Sequence, residues 1–500
     1  MKKSRLTLCK IGKVHYNRKD ILIQRDRQLL KSCVNEKEYL AKTGVMKMEK
    51  RSDLKMGTAP MLPLIISMAL PAMFSMLVQA LYNVVDSYFV SKISEDALTA
   101  VSLAYPIQML LIAFGMGTAV GINSLISRRL GEGNQEAADS AASHGIWLGV
   151  FNWIIFALFG LFFTRSFFEA YTSAENIISM GSDYLGIVCV YSFGLFIEAN
   201  IEKTLQATGN MIWPMIFQLT GAVTNIILDP IFIFNLNMGV AGAAIATVIG
   251  QIAALGLATI VLLTREHAVK IHLRSFRFDW QTIKQIYIVG IPAIIMQAIS
   301  SVMTLAMNAI LVSFSKTAVA VFGIYFKLQS FVFMPVFGLT QGLMPIMGYN
   351  FGARNRRRLI SSLRIGCAIG LLIMAVGTVV FWAIPDQLLM IFDASSEMLR
   401  IGRPALQYIS LCFLPAALGI LSSTLFQAMG RGFYSLIVSV MRQLVVLVPS
   451  AWLLSQISLT AVWFAFPIAE IVSLITSVLL FLNLYRKVIR YLDKPAAEAA

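Results

Sequence analysis

Two carboxylates stand inside long apolar runs of this chain. Asp86 follows Gln79, Tyr82 and Asn83 at spacings of seven, four and three residues. In a helix these four side chains share one face and form a polar stripe. Asn225 and Asp229 are four apart, with Gln218 on the same face, and Pro230 follows at once. A proline ring there opposes the carbonyl of Ile226 and removes one backbone hydrogen bond. A freed carbonyl beside a carboxylate and an amide is a set of oxygen donors for a small cation. The plainer alternative is a polar contact between helices. Other polar or charged residues inside apolar runs are Glu198, Glu202, Lys203, Thr247, Gln251, Lys327, Arg442 and Glu470. Charges in such places are costly and are usually functional. Glu202 and Lys203 stand near the end of their run, where a long side chain can snorkel to an interface. Lys327, Arg442 and Glu470 can form a structural ion network or touch a solute.

Such stripes need long helices to carry them, and the composition supplies these. Of 500 residues, 57% are apolar and 13% charged, against about 25% charged in soluble domains. Apolar segments fall near 61–91, 97–126, 141–163, 177–206, 211–236, 240–264, 285–314, 318–347, 359–384, 396–427, 432–455 and 458–485. Each exceeds the roughly 20 residues that span a bilayer. The runs are continuous and do not alternate, which excludes a transmembrane β-barrel. The expected fold class is an all-α integral membrane protein with twelve spans.

Charge orients the spans. Basic residues mark the cytoplasmic side. With an inner N-terminus, eighteen lysines and arginines fall on inner loops and span ends, and five on the outer side. Both termini are then cytoplasmic. Ten of the fifteen net positive charges sit in residues 1–56. That tail has no apolar core of signal-peptide length; it is expected to be a disordered cytoplasmic extension, with an amphipathic membrane-surface segment as the alternative. The charge thus points to a lipid bilayer and not to nucleic acid. Counted along this topology, Asp86, Asp229 and Thr247 all lie roughly 8–11 Å below the outer surface. They can meet in one cluster that binds and exchanges a proton or sodium ion.

The chain also repeats itself. A shift of 221 residues brings Pro71 onto Pro292, Gln108 onto Gln329, Gly117 onto Gly338, Gly121 onto Gly342 and Gly131 onto Gly352. It also brings Asn134 onto Asn355, Gln206 onto Gln427 and Gly209 onto Gly430. Later the shift falls to 219, where Pro230 meets Pro449 and Gln251 meets Glu470. Six spans separate the copies, so the two halves run in the same direction. Parallel repeats of this kind are a transporter architecture with the solute between the halves. The expected division is a basic tail (1–56), an N-lobe (57–264), a basic linker (265–284), a C-lobe (285–487) and a cytoplasmic tail (488–500). The run Gly115-Met-Gly117-Thr-Ala-Val-Gly121 has the wrong last spacing for a dinucleotide fingerprint. Small residues in a span suit close helix packing instead. The five cysteines and four histidines show no metal-ligand spacing, and no Ser/His or His/Asp constellation suggests an enzyme.

At this point the sequence resembles the multidrug and toxic compound extrusion (MATE) family over about residues 57–487. The resemblance rests on Pro71 with Asp86, Gly131-Glu-Gly133-Asn134, Leu205-Gln-Ala-Thr-Gly209-Asn210, Asn225-Ile-Ile-Leu-Asp229-Pro230 and Gly239-Val-Ala-Gly242-Ala-Ala-Ile-Ala-Thr247. It continues in Gly338, Gly342, Asn350-Phe-Gly352-Ala and Gln427-Ala-Met-Gly430. Tyr325-Phe-Lys327-Leu-Gln329 looks like the MepA-like/DinF-like branch; spans 7 and 10 lack the interior acids of the NorM-like branch. The resemblance implies twelve helices in two six-helix lobes. It also implies secondary multidrug efflux by antiport, a route to antibiotic resistance. Asp86, Asn225, Asp229 and Thr247 match the family's cation-coupling positions for H+ or Na+. The substrate cavity is expected to draw on Gln79, Tyr82, Asn83, Gln218, Gln251, Lys327 and Glu470. Amphipathic or cationic organic compounds are the expected partners, with no cofactor, in a monomer of the inner (plasma) membrane. A lipid-linked oligosaccharide flippase of the same superfamily is the alternative, which Lys327 and Arg442 keep open.

Overall fold

The computed structural model describes residues 55–91, 93–272, 274 and 276–493; the side chains of 83–88, 90, 91 and 95 also lie outside the description. The basic tail therefore lies almost wholly outside the described residues. In a bilayer every backbone N–H and C=O must be satisfied within the protein, which leaves helices as the solution for continuous apolar runs. The first half holds α1 (Met61–Ser91), α2 (Glu95–Gly131), α3 (Gln135–Phe162), a short α4 (Thr164–Glu169), α5 (Glu175–Val190), α6 (Phe193–Ala207), α7 (Ile212–Pro230) and α8 (Gly239–Thr264). The second half holds α9 (Trp280–Val312), α10 (Lys316–Gly352), α11 (Arg356–Ala383), a short α12 (Pro385–Met390), α13 (Ser396–Ser410), α14 (Phe413–Ala428), α15 (Gly432–Val440), α16 (Val448–Ser455), a short α17 (Leu459–Val462) and α18 (Ala465–Lys487). Among the described residues, ten helical stretches are long and apolar enough to cross a membrane, and there are twelve when each of two bent pairs is taken as one span. The pairs are α5 with α6, bent by 41°, and α13 with α14, bent by 48°.

The repeat is visible in the element boundaries. At a shift of 221, α2, α3 and α4 fall onto α10, α11 and α12 residue for residue. The caps match as well. Ser94 and Ser315 each accept from the backbone three residues on, at 3.0 Å, and so do Asn134 and Asn355. Such caps satisfy orphan N–H groups of the first turn. A π-helical stretch follows Pro230 at Ile231–Asn235, and another precedes Pro449 at Met441–Leu447.

The lobes meet through glycines. An added Cβ on Gly121 would stand 2.3 Å from the Ile286 carbonyl oxygen, and one on Gly131 2.0 Å from that of Tyr349. Their counterparts make the reciprocal contacts: Gly342 lies on Ala69, and Gly352 on the Arg128 carbonyl. Thus α2 packs on α9 and α10 packs on α1 in a pseudo-twofold arrangement. Hydrogen bonds across the lobes gather in the same half. Ser124 donates to the Gln427 carbonyl, Arg129 to Gln285 at 2.8 Å, and Asn350 and Arg358 to the Met56 carbonyl. This half carries the basic loops, so the basic end of the bundle is closed.

The segment joining the lobes is docked onto α3. Helix α9 starts at Trp280, earlier than the expected span, because Asp279 caps it. Hydrogen bonds from Thr282 and Gln281 hold the Asp279 carboxyl below the usual carboxylate range. Upstream, Gln135 donates to the Ala268 carbonyl, while Asp139 and Ser143 accept the Lys270 and His272 N–H groups. The buried His144 accepts the Asp279 N–H through Nε2 at 2.9 Å and lies 2.8 Å through Nδ1 from the Ser140 carbonyl. That pair of bonds requires the neutral Nδ1–H tautomer.

Candidate functional site

Helices α7 and α8 approach closely because both carry glycine at the crossing. A Cβ on Gly250 would lie 2.7 Å from the Gly221 carbonyl oxygen and 3.4 Å from Asn225 Cβ. Thr247 sits one turn before Gly250, so its hydroxyl reaches across the gap. Asn225 Nδ2 donates to Thr247 Oγ1 at 3.2 Å and to Asp229 Oδ1 at 3.3 Å. Asp229 is fully buried and Asn225 nearly so. The Asn225 side-chain oxygen is buried without a hydrogen-bond partner. A buried carbonyl oxygen with no donor is costly, and a cation is one partner that fits beside a carboxylate and a hydroxyl. Pro230 ends regular α-helix at this point, and the chain continues in the π-helical turn, a feature common at functional sites.

Three of the four expected coupling residues thus come together. The fourth, Asp86, has its backbone in α1, which packs against α7; its side chain and that of Asn83 lie outside the described residues. Gln79, Tyr82 and Gln251 are partly buried. Gln218 turns toward the basic end and donates to Glu202 Oε2 at 3.1 Å.

The second lobe holds a separate charge pair. Arg442, in the π-helical stretch, lies 3.1 Å from Glu470 of α18. Glu470 is buried, and its other oxygen has no hydrogen-bond partner. Lys327 does not join this pair. It is exposed on α10, with its ammonium 5.7 Å from the centroid of the Phe392 ring.

Glu202 and Lys203 do not snorkel. They are 1% and 5% exposed and form a buried network with Gln206 of α6, Gln218 of α7 and Gln341 of α10. Position along the span suggested an interfacial pair; the bend between α5 and α6 and the packing of α10 cover it. The legible signal was the spacing of Glu202 and Gln206, one turn apart around a lysine. Among the described residues no group of three or more His, Cys, Asp or Glu side chains could hold a metal ion.

Comparison with known proteins decides the family. The MatE family model matches residues 71–231 and again 292–453, once in each lobe. The chain belongs to the MATE family. The multidrug export protein MepA of Staphylococcus haemolyticus is 28% identical over 407 residues, 81% of this chain and 89% of that protein. MepA of Staphylococcus aureus is 25% identical over 414 residues, 82% and 91% of the two chains. Among solved structures, the outward-facing conformation of a multidrug resistance MATE transporter of the MOP superfamily superposes with a TM-score of 0.82. It is 27% identical and covers 86% of this chain and 96% of its own. A MOP superfamily transporter from Pyrococcus furiosus, described for the reverse polarity of its binding pocket, gives 0.82 at 26% identity, covering 88% and 98%. The two matched segments of the MATE model each end just past a proline, Pro230 and Pro449, that borders a π-helical stretch: the stretch follows Pro230 in the first lobe and precedes Pro449 in the second.

Proposed function

We propose that this chain is a secondary antiporter that exports amphipathic, often cationic, organic compounds across the plasma membrane. Protons or sodium ions flow inward through Asp86, Asn225, Asp229 and Thr247 and drive export through the cleft between the lobes. The observation that carries this reading is the buried Asn225–Asp229–Thr247 cluster, with its unpartnered amide oxygen. A titratable carboxylate in that setting binds a proton or a small cation in exchange for its neighbours' hydrogen bonds. Binding then favours one arrangement of α7 over another, and only such differential binding can shift the two states. Glu470, Gln251, Gln218, Gln79, Tyr82, Asn83 and Lys327 are the candidate substrate contacts. Both termini are read as cytoplasmic, because the closed end carries the basic loops. This is transport and not catalysis. A second reading, export of an anionic amphiphile, is favoured by the exposed Lys327 on α10.

The test is transport in reconstituted vesicles with imposed proton or sodium gradients. Asp86→Asn and Asp229→Asn are each expected to insert normally and to lose most gradient-driven efflux. Glu470→Gln is expected to cost less, since its repeat partner Gln251 is already neutral. Wild-type coupling in both aspartate variants, with loss in Glu470→Gln, moves the coupling site to the other lobe. Uptake of anionic and not cationic dyes favours the second reading.

A further inference from the structure

A lysine ammonium inside a protein needs counter-charge and hydrogen-bond acceptors around it. Lys203 has both. Its Nζ lies 2.9 Å from Glu202 Oε1, 2.9 Å from Gln206 Oε1 and 2.8 Å from Gln341 Oε1. The first two acceptors belong to its own helix, α6. The third belongs to α10, in the other lobe. Gln206 Nε2 adds a second cross-lobe bond to the same Gln341 oxygen at 3.1 Å. Gln341 immediately precedes Gly342, the glycine that seats α10 on Ala69 of α1. The contact therefore lies within the closed basic half, where the lobes touch. A network that only stabilised the first lobe would close on itself. This one directs a buried charged donor at its partner.

We propose that Lys203 is the latch of the closed cytoplasmic end. Its charge-assisted hydrogen bond to Gln341 holds the lobes together there, and the bond breaks whenever that end opens. The contact is also tied to the helix that carries the coupling carboxylate. Glu202, the counter-charge of Lys203, accepts from Gln218 Nε2 of α7 through its second oxygen at 3.1 Å. Gln218, Asn225 and Asp229 fall at i, i+7 and i+11 along one face of α7, so they move as a unit. A rotation or tilt of α7 on cation binding shifts the group that orients Glu202, and through it the latch. This link to coupling rests on the antiport reading; the latch itself does not.

The experiment is hydrogen–deuterium exchange on the full-length protein in lipid nanodiscs. In Lys203→Met and Gln341→Leu, the halves of α2 and α10 that end at Gly131 and Gly352 are expected to exchange faster. The loss of one charged hydrogen bond corresponds to roughly a tenfold or larger shift from closed toward open. Lys203→Arg, which keeps charge and donors, is expected to retain wild-type protection. Gln341→Leu removes only the acceptor in the partner lobe and is expected to leave α6 protected. It isolates the latch even where Lys203→Met folds poorly. Faster exchange confined to α5, α6 and α7 is the signature of a merely structural lysine and overturns the proposal. So does unchanged exchange at the ends of α2 and α10 in Gln341→Leu. Retained coupling in Asp229→Asn overturns the coupling site alone, and the exchange data still decide the latch.

Discussion

Gly121→Ala tests how tightly the lobes are seated at the closed end. The added Cβ would stand 2.3 Å from the Ile286 carbonyl oxygen and 3.1 Å from Ile286 Cγ2, whereas ordinary contact begins at 3.4 Å. The obstructing oxygen belongs to helical backbone and cannot swing aside. Helices α2 and α9 must therefore separate by about 1 Å, and overpacking of this kind costs about 1–3 kcal/mol. Charged to the closed state alone, that cost shifts the closed-to-open ratio by roughly 5- to 150-fold. Gly342→Ala meets Ala69 Cα at 2.8 Å, so it is expected to act in the same direction and more weakly. Gly256→Ala is the control: its Cβ meets nothing within 4 Å, and the helix gains about 0.5–1 kcal/mol from the exchange. The assay is thermal unfolding of purified protein together with proteolytic accessibility of the loop that follows α2. Gly121→Ala is expected to melt lower and to expose that loop, while Gly256→Ala does neither. A Gly121→Ala protein with wild-type melting and accessibility would mean the two helices are not seated at this distance in the working molecule.

Two further predictions concern the charge pair and the linker. Arg442→Met leaves Glu470 buried without its partner, so the second lobe is expected to lose about 3 kcal/mol, and Arg442→Met combined with Glu470→Gln to recover part of it; denaturation curves of the single and double variants check this. His144→Ala removes the acceptor for the Asp279 N–H and the edge-to-face contact with Phe276 at 4.7 Å, so trypsin is expected to cut at Arg274 and Arg277 faster than in wild type, and an unchanged cleavage rate would show that the linker is held by its other bonds.

Most of the fold was legible because bilayer physics leaves few choices. Continuous apolar runs become helices, and the 221-residue repeat gave the pairing of elements before any coordinate. What stayed hidden was geometry within spans. Nothing in the spacing announced the bends after Val190 and Ser410, because the breaks, Tyr191-Ser192 and Leu411-Cys412, contain neither glycine nor proline. The Asn225–Asp229–Thr247 cluster was readable, since two residues share a helical turn and Thr247 falls at the right depth. Lys203 was not. Its place near the end of a run suggested exposure, and only the packing of α10 across it reveals burial. A single span's sequence carries no record of which neighbour covers it.

The repeat separates what the fold requires from what the function requires. Glycines, caps and bends recur in both lobes, so the duplicated parts build the frame and the pseudo-twofold seam. Gln206 of the buried network recurs as Gln427, but most of the polar interior does not recur. At the matching shifts Asp229 faces Val448, Lys203 faces Thr424, Glu202 faces Ser423 and Gln341 faces Val120. A symmetric latch would have to join Thr424 to Val120, which offers a hydroxyl no acceptor. In its place Ser124 donates to the Gln427 backbone carbonyl, a bond without charge. The titratable cluster and the charged latch thus fall in the same lobe and share α7 through Gln218. Under the proposed antiport, that asymmetry gives ion binding to one lobe and leaves the other to answer it.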